Sequence, residues 1–140
     1  MRNDLRQRVA EDGFTLIELL VVMLVIGVLA ALAIPTFVAQ QRKAHEASAK
    51  SDVKNVAKEV VAYYVDRADP LVLAPGSTSS SWQLSDSSGV VADGRLSAGN
   101  SLGAAGSIVS DSSYCIAVAP SNDAGRTWSA TQDGLKAGGC

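Results

Sequence analysis

Glu18 is the residue of this sequence whose position most needs a chemical reason. It heads an apolar stretch, residues 19–39, in which Thr36 is the only hydrogen-bonding side chain among 21 positions. An acid inside such a helix costs on the order of 2–3 kcal/mol to place in a membrane, so such groups are usually paired or functional. No opposite charge lies nearby in the chain, since the flanking basic residues are Arg8 and Arg42. A newly made chain terminus would supply one. A cut after Gly13 makes Phe14 the first residue, and its α-amine, with a pKa of about 8, is positive at neutral pH. Glu18 then stands one helical turn along, on the same face.

The other residue types that carry chemistry make no comparable pattern. His45 is the only histidine and there is no Cys-x-x-Cys, so a zinc site is not expected. One histidine on the polar part of a helix reads as a surface position and supports no Ser-His-Asp or Cys-His constellation. Gly99-Asn100-Ser101-Leu102-Gly103-Ala104-Ala105-Gly106 is glycine-rich, but no Lys follows and no strand signal precedes it. It reads as a loop and not a phosphate cradle. The net charge is −2, with no region of strong single sign, which excludes a strongly basic nucleic-acid binder. Neither a catalytic residue, a cofactor nor a metal is expected.

The elements that place Glu18 follow from the apolar run. Twenty-one residues of helix span about 31 Å, the thickness of a bilayer's hydrocarbon core. A plain anchor fits this, and so does a cleaved secretory signal ending at Ala31-Leu32-Ala33. Against the signal, the apolar run continues through Ile34, Phe37 and Val38, and signal segments rarely carry an acid where Glu18 sits. Helical periodicity continues beyond it. Val53, Val56, Ala57, Val60, Val61 and Tyr64 recur at three- and four-residue steps as an apolar stripe. Lys50, Lys54 and Lys58 lie along another face, either a solvated face or a docking strip, and Glu46 precedes Lys50 in the favourable order. Asp69 precedes Pro70 and stops the helix near Ala68. Residues 14–68 then make a helix of about 82 Å. Gly27 and Pro35 interrupt it, as tolerated kinks or as a functional break.

Residues 76–113 change character, with 19 of 38 positions Ser or Gly, so only short strands are expected there and beyond. These are residues 81–84, 107–109, 114–119 and 126–131, the last two joined by residues 120–125 as a hairpin connection. The expected core is Leu71, Val72, Trp82, Leu84, Ile108, Ile116, Val118 and Trp128 against the valine face of the helix. So thin a core calls for a staple. Cys115 and Cys140 are the only cysteines. They are either unpaired thiols or a bridge closing a 26-residue loop, which contributes roughly 3–4 kcal/mol and suits an oxidising compartment.

The stretch Gly13-Phe14-Thr15-Leu16-Ile17-Glu18-Leu19-Leu20-Val21-Val22, continuing through Ile26-Gly27-Val28-Leu29-Ala30-Ala31-Leu32-Ala33-Ile34-Pro35, closely resembles the processing site of type IV prepilins and type II secretion pseudopilins. The resemblance covers about residues 13–64. It implies an α+β, pilin-like fold: a long N-terminal helix, its first half transmembrane, packed on a small antiparallel sheet. The implied divisions are a leader at 1–13, a membrane and filament-core helix at 14–40, an amphipathic half at 41–68 and a β domain at 69–140. It further implies that a prepilin peptidase cuts after Gly13 and N-methylates Phe14. Glu18 then neutralises the amine of a neighbouring subunit. Two unit charges 4 Å apart gain about 4 kcal/mol at an effective dielectric of 20. In such filaments the stretch around Gly27 and Pro35 can lose helical bonding on assembly, and a C-terminal disulfide, here Cys115 with Cys140, bounds an exposed loop. Glu11 and Asp12 depart from the basic leaders of many relatives and bear on cleavage efficiency.

The implied role is a structural, non-enzymatic subunit. It is held in membrane lipid with its C-terminal domain outside the cytoplasm, then polymerised by an inner-membrane platform into a homo-oligomeric surface filament. Adhesion, motility or DNA uptake would be served, without direct nucleic-acid binding. The alternative is a type II secretion pseudopilin. Major pseudopilins often carry a C-terminal calcium site, for which Asp123 and Asp133 are too sparse. A membrane-anchored or secreted binding module is the more distant alternative.

Overall fold

The computed structural model describes residues 13–104, 108–120 and 126–140. The element order is one helix, α1 (Leu16–Asp66), then β1 (Val72–Pro75), β2 (Ser81–Asp86), β3 (Gly89–Arg95), β4 (Asn100–Leu102), β5 (Ile108–Ser110), β6 (Ser113–Pro120), β7 (Trp128–Thr131) and β8 (Gly134–Ala137). The chain divides into two compact units, Met1–Val38 and Ala39–Cys140. The fold is α+β, with a long N-terminal helix and antiparallel sheets.

In the first unit the large apolar side chains between Leu16 and Val38 are exposed. Among the described residues, α1 is the one helix long and apolar enough to cross a membrane. In the single chain α1 is continuous through both Gly27 and Pro35. Glycine is tolerated inside a helix at a cost of about 1 kcal/mol, and proline removes one ladder bond. Beside Pro35, the Thr36 hydroxyl donates to the Ala33 carbonyl at 2.8 Å and lies 3.5 Å from that of Leu32. The one polar side chain of the run is thus satisfied within its own helix.

In the second unit α1 buries Ala49, Val53, Val56, Ala57 and Val60, one stripe at helical spacing. Two antiparallel sheets supply the rest of the core. One has the order β1-β2-β3; the other runs β4-β6-β7-β8, with β5 also paired to β6. An isolated bridge joins Leu71 to Ile108. Leu71, Trp82, Leu84, Ile108, Ile116 and Val118 are buried as expected, and Leu73, Leu96 and Ala130 join them. Val72 is corrected: it is 62% exposed, because alternation along the strand turns it outward between Leu71 and Leu73. Val61 is also exposed, and Trp128 and Tyr64 only half-buried.

The helix ends at Asp66, short of Ala68. Four strands were not expected, namely β1, β3, β4 and β8. The Gly99–Gly106 stretch is not all loop, since residues 100–102 pair with β6 as β4; Ala105 and Gly106 lie outside the described residues. The β6–β7 pairing is antiparallel, with Val118 opposite Trp128, while residues 121–125 of the expected connection lie outside the described residues.

Gly94 shows how close the packing is. A Cβ there would come within 2.6 Å of the buried Trp82 ring. Gly94→Ala is expected to destabilise the chain by about 1–3 kcal/mol through overpacking. Urea unfolding of the detergent-solubilised protein checks this, and an unchanged midpoint would contradict it.

Candidate functional site

The helix start is built by three residues. Gly13, Phe14 and Thr15 precede the first helical residue, and Phe14 is 81% exposed. Thr15 occupies the N-cap position. Its hydroxyl accepts from the Glu18 backbone N–H at 3.3 Å, and the Glu18 carboxylate accepts from the Thr15 N–H at 3.2 Å and hydroxyl at 2.9 Å. This is a reciprocal capping box, in which two helix-end donors find acceptors. Both bonds to Glu18 end on Oε2; Oε1 accepts none among the described residues. Glu18 thus has a hydrogen-bonding partner that the search for an opposite charge did not consider. Thr15 supplies hydrogen bonds but no charge, so the carboxylate has no counter-charge among the described residues. The signal was the Thr-x-x-Glu spacing just before an apolar run.

A Cβ at Gly13 or Gly27 would meet nothing within 4 Å. Packing among the described residues therefore gives no reason for glycine at either position.

The second unit has its own polar anchors. Asp52, 6% exposed, sits within the buried stripe. Its carboxylate accepts from the Ser97 N–H at 2.8 Å, the Ser97 hydroxyl at 2.9 Å and the Asn100 amide at 2.6 Å. The Asn100 amide also donates to Ser48 at 3.0 Å. A buried acid is retained only when its lone pairs are filled, and this node fastens the segment before β4 to α1. Reading the stripe for valines alone overlooked it. Glu46, expected to pair with Lys50, instead pairs with Arg126. Lys50 Nζ lies 3.9 Å from the Trp128 ring centroid, a cation–π contact. His45 is half-buried on α1.

Cys115 on β6 is bonded to Cys140, with a Cα–Cα distance of 5.8 Å, so β7 and β8 lie inside the closed loop. Among the described residues no three His, Cys, Asp or Glu side chains converge to hold a metal; Asp123 lies outside them.

Asp86 accepts from the Ser88 N–H at 2.7 Å and hydroxyl at 2.6 Å, and from the Tyr63 hydroxyl at 2.8 Å; the Arg67 guanidinium is 3.4 Å away. The Ser88 hydroxyl bond foremost, then Tyr63, holds its carboxyl down at about 2. Desolvation first, and then Asp86, push the Tyr63 phenol up.

Residues 8–34 match the family described as the prokaryotic N-terminal methylation motif. The N-terminal segment is similar to that of type IV pilins and type II secretion core proteins. Over 60 residues the chain is 40% identical to type II secretion system core protein G of Pseudomonas aeruginosa, covering 43% of this chain and 42% of that one. It is 50% identical over 42 residues to the type IV major pilin protein PilA of Myxococcus xanthus, covering 30% and 19%. Core protein G of Escherichia coli is 38% identical over 56 residues, covering 40% and 39%. The chain thus spans about two fifths of the core protein G relatives and a fifth of PilA. No solved structure matches it. The pilin-type match takes in Gly13, Phe14, Thr15, Glu18 and Gly27 together.

The Asp86 cluster gives the second unit a defined acid response. Its folded pKa lies below the ordinary 3.8, so its stabilisation is present above that value and lost as pH falls from about 4 through about 2. The gap in melting temperature between the parent and Asp86→Asn, in detergent, is expected to narrow across that interval. A constant gap would contradict the assignment.

Proposed function

We propose that this chain is a structural, type IV pilin-like subunit without a reaction of its own. Residues 1–13 are its leader, removed after Gly13, with Phe14 N-methylated. Residues 14–40 hold it in the cytoplasmic membrane and then form the filament core. Residues 41–68 carry the domain of residues 69–140 on the outside. Prepilin peptidase, membrane lipid, an inner-membrane platform and further copies of itself are its partners. The observation that carries this reading is a charged Glu18 at the head of an apolar helix, within the matched methylation motif. Glu18 keeps one carboxylate oxygen open toward the amine of a neighbouring Phe14, while Thr15 orients the other. Glycine at position 13 is a requirement of the peptidase, since the chain's own packing does not ask for it. Gly27 and Pro35 are where the helix yields on assembly, the first through its backbone freedom and the second through its missing N–H. The Cys115–Cys140 bridge supports exposure to an oxidising compartment.

The likeness to core protein G of several bacteria favours a second reading, a pseudopilin of a type II secretion system. The processing and the role of Glu18 are common to both.

Glu18→Ala is expected to leave membrane insertion and leader removal intact while abolishing filaments. Electron microscopy and immunoblotting of the sheared fraction check this. Abundant filaments from the variant would overturn the role given to Glu18.

A further inference from the structure

The outer edge of β8 is open. The Gly138 N–H donates to the Thr127 carbonyl at 2.7 Å, and the same register sets Ala137 opposite Trp128 and Leu135 opposite Ala130. Bonded and unbonded pairs alternate along an antiparallel ladder, so Gly134, Lys136 and Gly138 turn their backbone groups to β7. Leu135 and Ala137 turn theirs outward, where β8 has no neighbouring strand. Among the described residues no turn, loop or cap hydrogen bond reaches them. The bridge from Cys140 runs to Cys115 on β6, beyond β7, so it draws the last residues back across the sheet and away from this edge.

The edge adjoins a mainly apolar groove of about 460 Å³, lined by Lys54, Lys58 and Val61 of α1, by Tyr114 and by Leu135. Leu135 packs against the core, which puts its side chain and that of Ala137 on the face toward α1. Lys54 and Lys58 are exposed, and neither is held in an ion pair among the described residues. Natural sheets blunt their edges with charge or proline. The one charged side chain of β8, Lys136, alternates to the far face and is held by Asp133 at 3.6 Å.

Open backbone groups, an apolar hollow and two unpaired ammonium groups thus lie side by side. An amphiphilic anion would use the last two and leave the first unmet; an added strand uses all three. We infer that an extended peptide segment of another protein pairs with β8 as a further strand. Its side chain opposite Leu135 is apolar and enters the groove. Two positions along, on the same face, an acidic side chain reaches Lys54 or Lys58. With four residues in β8, backbone pairing alone gains little. The groove and the lysines therefore decide which segments bind, favouring alternation that places apolar and acidic residues toward α1. The surface lies within the second unit and does not depend on the filament reading.

The probe is the end-blocked, fluorescently labelled peptide Thr-Glu-Thr-Val-Thr-Glu-Thr, titrated by anisotropy onto the full chain in phosphatidylcholine nanodiscs. Saturable binding is expected. Lys54→Glu with Lys58→Glu is expected to weaken it by about tenfold or more, and to favour the peptide with Lys in place of Glu. Ala137→Pro removes an outward N–H that the β7–β8 ladder does not use, and is expected to weaken binding by about tenfold while the β domain stays folded. Methylated peptides make the test independent of how that variant folds. N-methylation of one alternate set of peptide amides is expected to abolish binding, and of the other set to leave it. Equal loss from both sets, or loss from neither, overturns strand addition. Absence of saturable binding, or equal binding of the Lys-for-Glu peptide to the parent chain, overturns the proposal. So does binding of decanoate without the peptide, which assigns the groove to an amphiphilic anion. Oligomers of the chain in place of peptide binding assign the edge to a second copy and overturn it too.

Discussion

One carboxylate without a counter-charge among the described residues sets the chemistry proposed for this molecule. Glu18 stands where an apolar helix begins, and the cost of keeping a charge there is of the same order as the gain from one well-placed counter-charge. Thr15 lowers that cost by completing a capping box without removing the charge. What remains is a site satisfied only by a cation brought from outside the segment. In the reading proposed above, a processed N-terminus on a neighbouring copy supplies that cation. That reading ties cleavage, membrane retention and assembly to one electrostatic requirement.

The outer unit solves a different problem. Its strands are short and rich in Ser and Gly, so they bury little, and the valine stripe of α1 provides the surface on which both sheets pack. Polar fastenings do what apolar area cannot. Asp52 holds the segment leading into β4, Asp86 holds the β2–β3 hairpin to the end of α1, and the disulfide closes β6 to β8. Each such acid is tolerated because nearly every lone pair meets a donor.

Legibility in the sequence followed the strength of each physical signal. The helix, its apolar stripe and strands β2, β6 and β7 were readable because periodicity runs through apolar residues. Strands β3, β4 and β8 were not, since Gly, Asp, Asn, Ser or Lys breaks up their few apolar residues and their pairing is decided by neighbours. Val72 was misplaced by hydrophobicity alone, where alternation assigns it to solvent. Asp52 was overlooked because a buried acid declares itself only through partners far along the chain, Ser97 and Asn100. At the N-terminal site, Gly13, Phe14 and Glu18 were legible by type and spacing. The capping role of Thr15 needed only the rule for helix starts; the Arg126 partner of Glu46 needed the fold.

The most direct test of the account is the N-terminal peptide of this protein in sheared surface material, identified by mass spectrometry. The account requires a peptide beginning at N-methylated Phe14 in a filament fraction. A chain beginning at Met1 or at Ile34, and absent from filaments, would contradict it and leave Glu18 with some other partner.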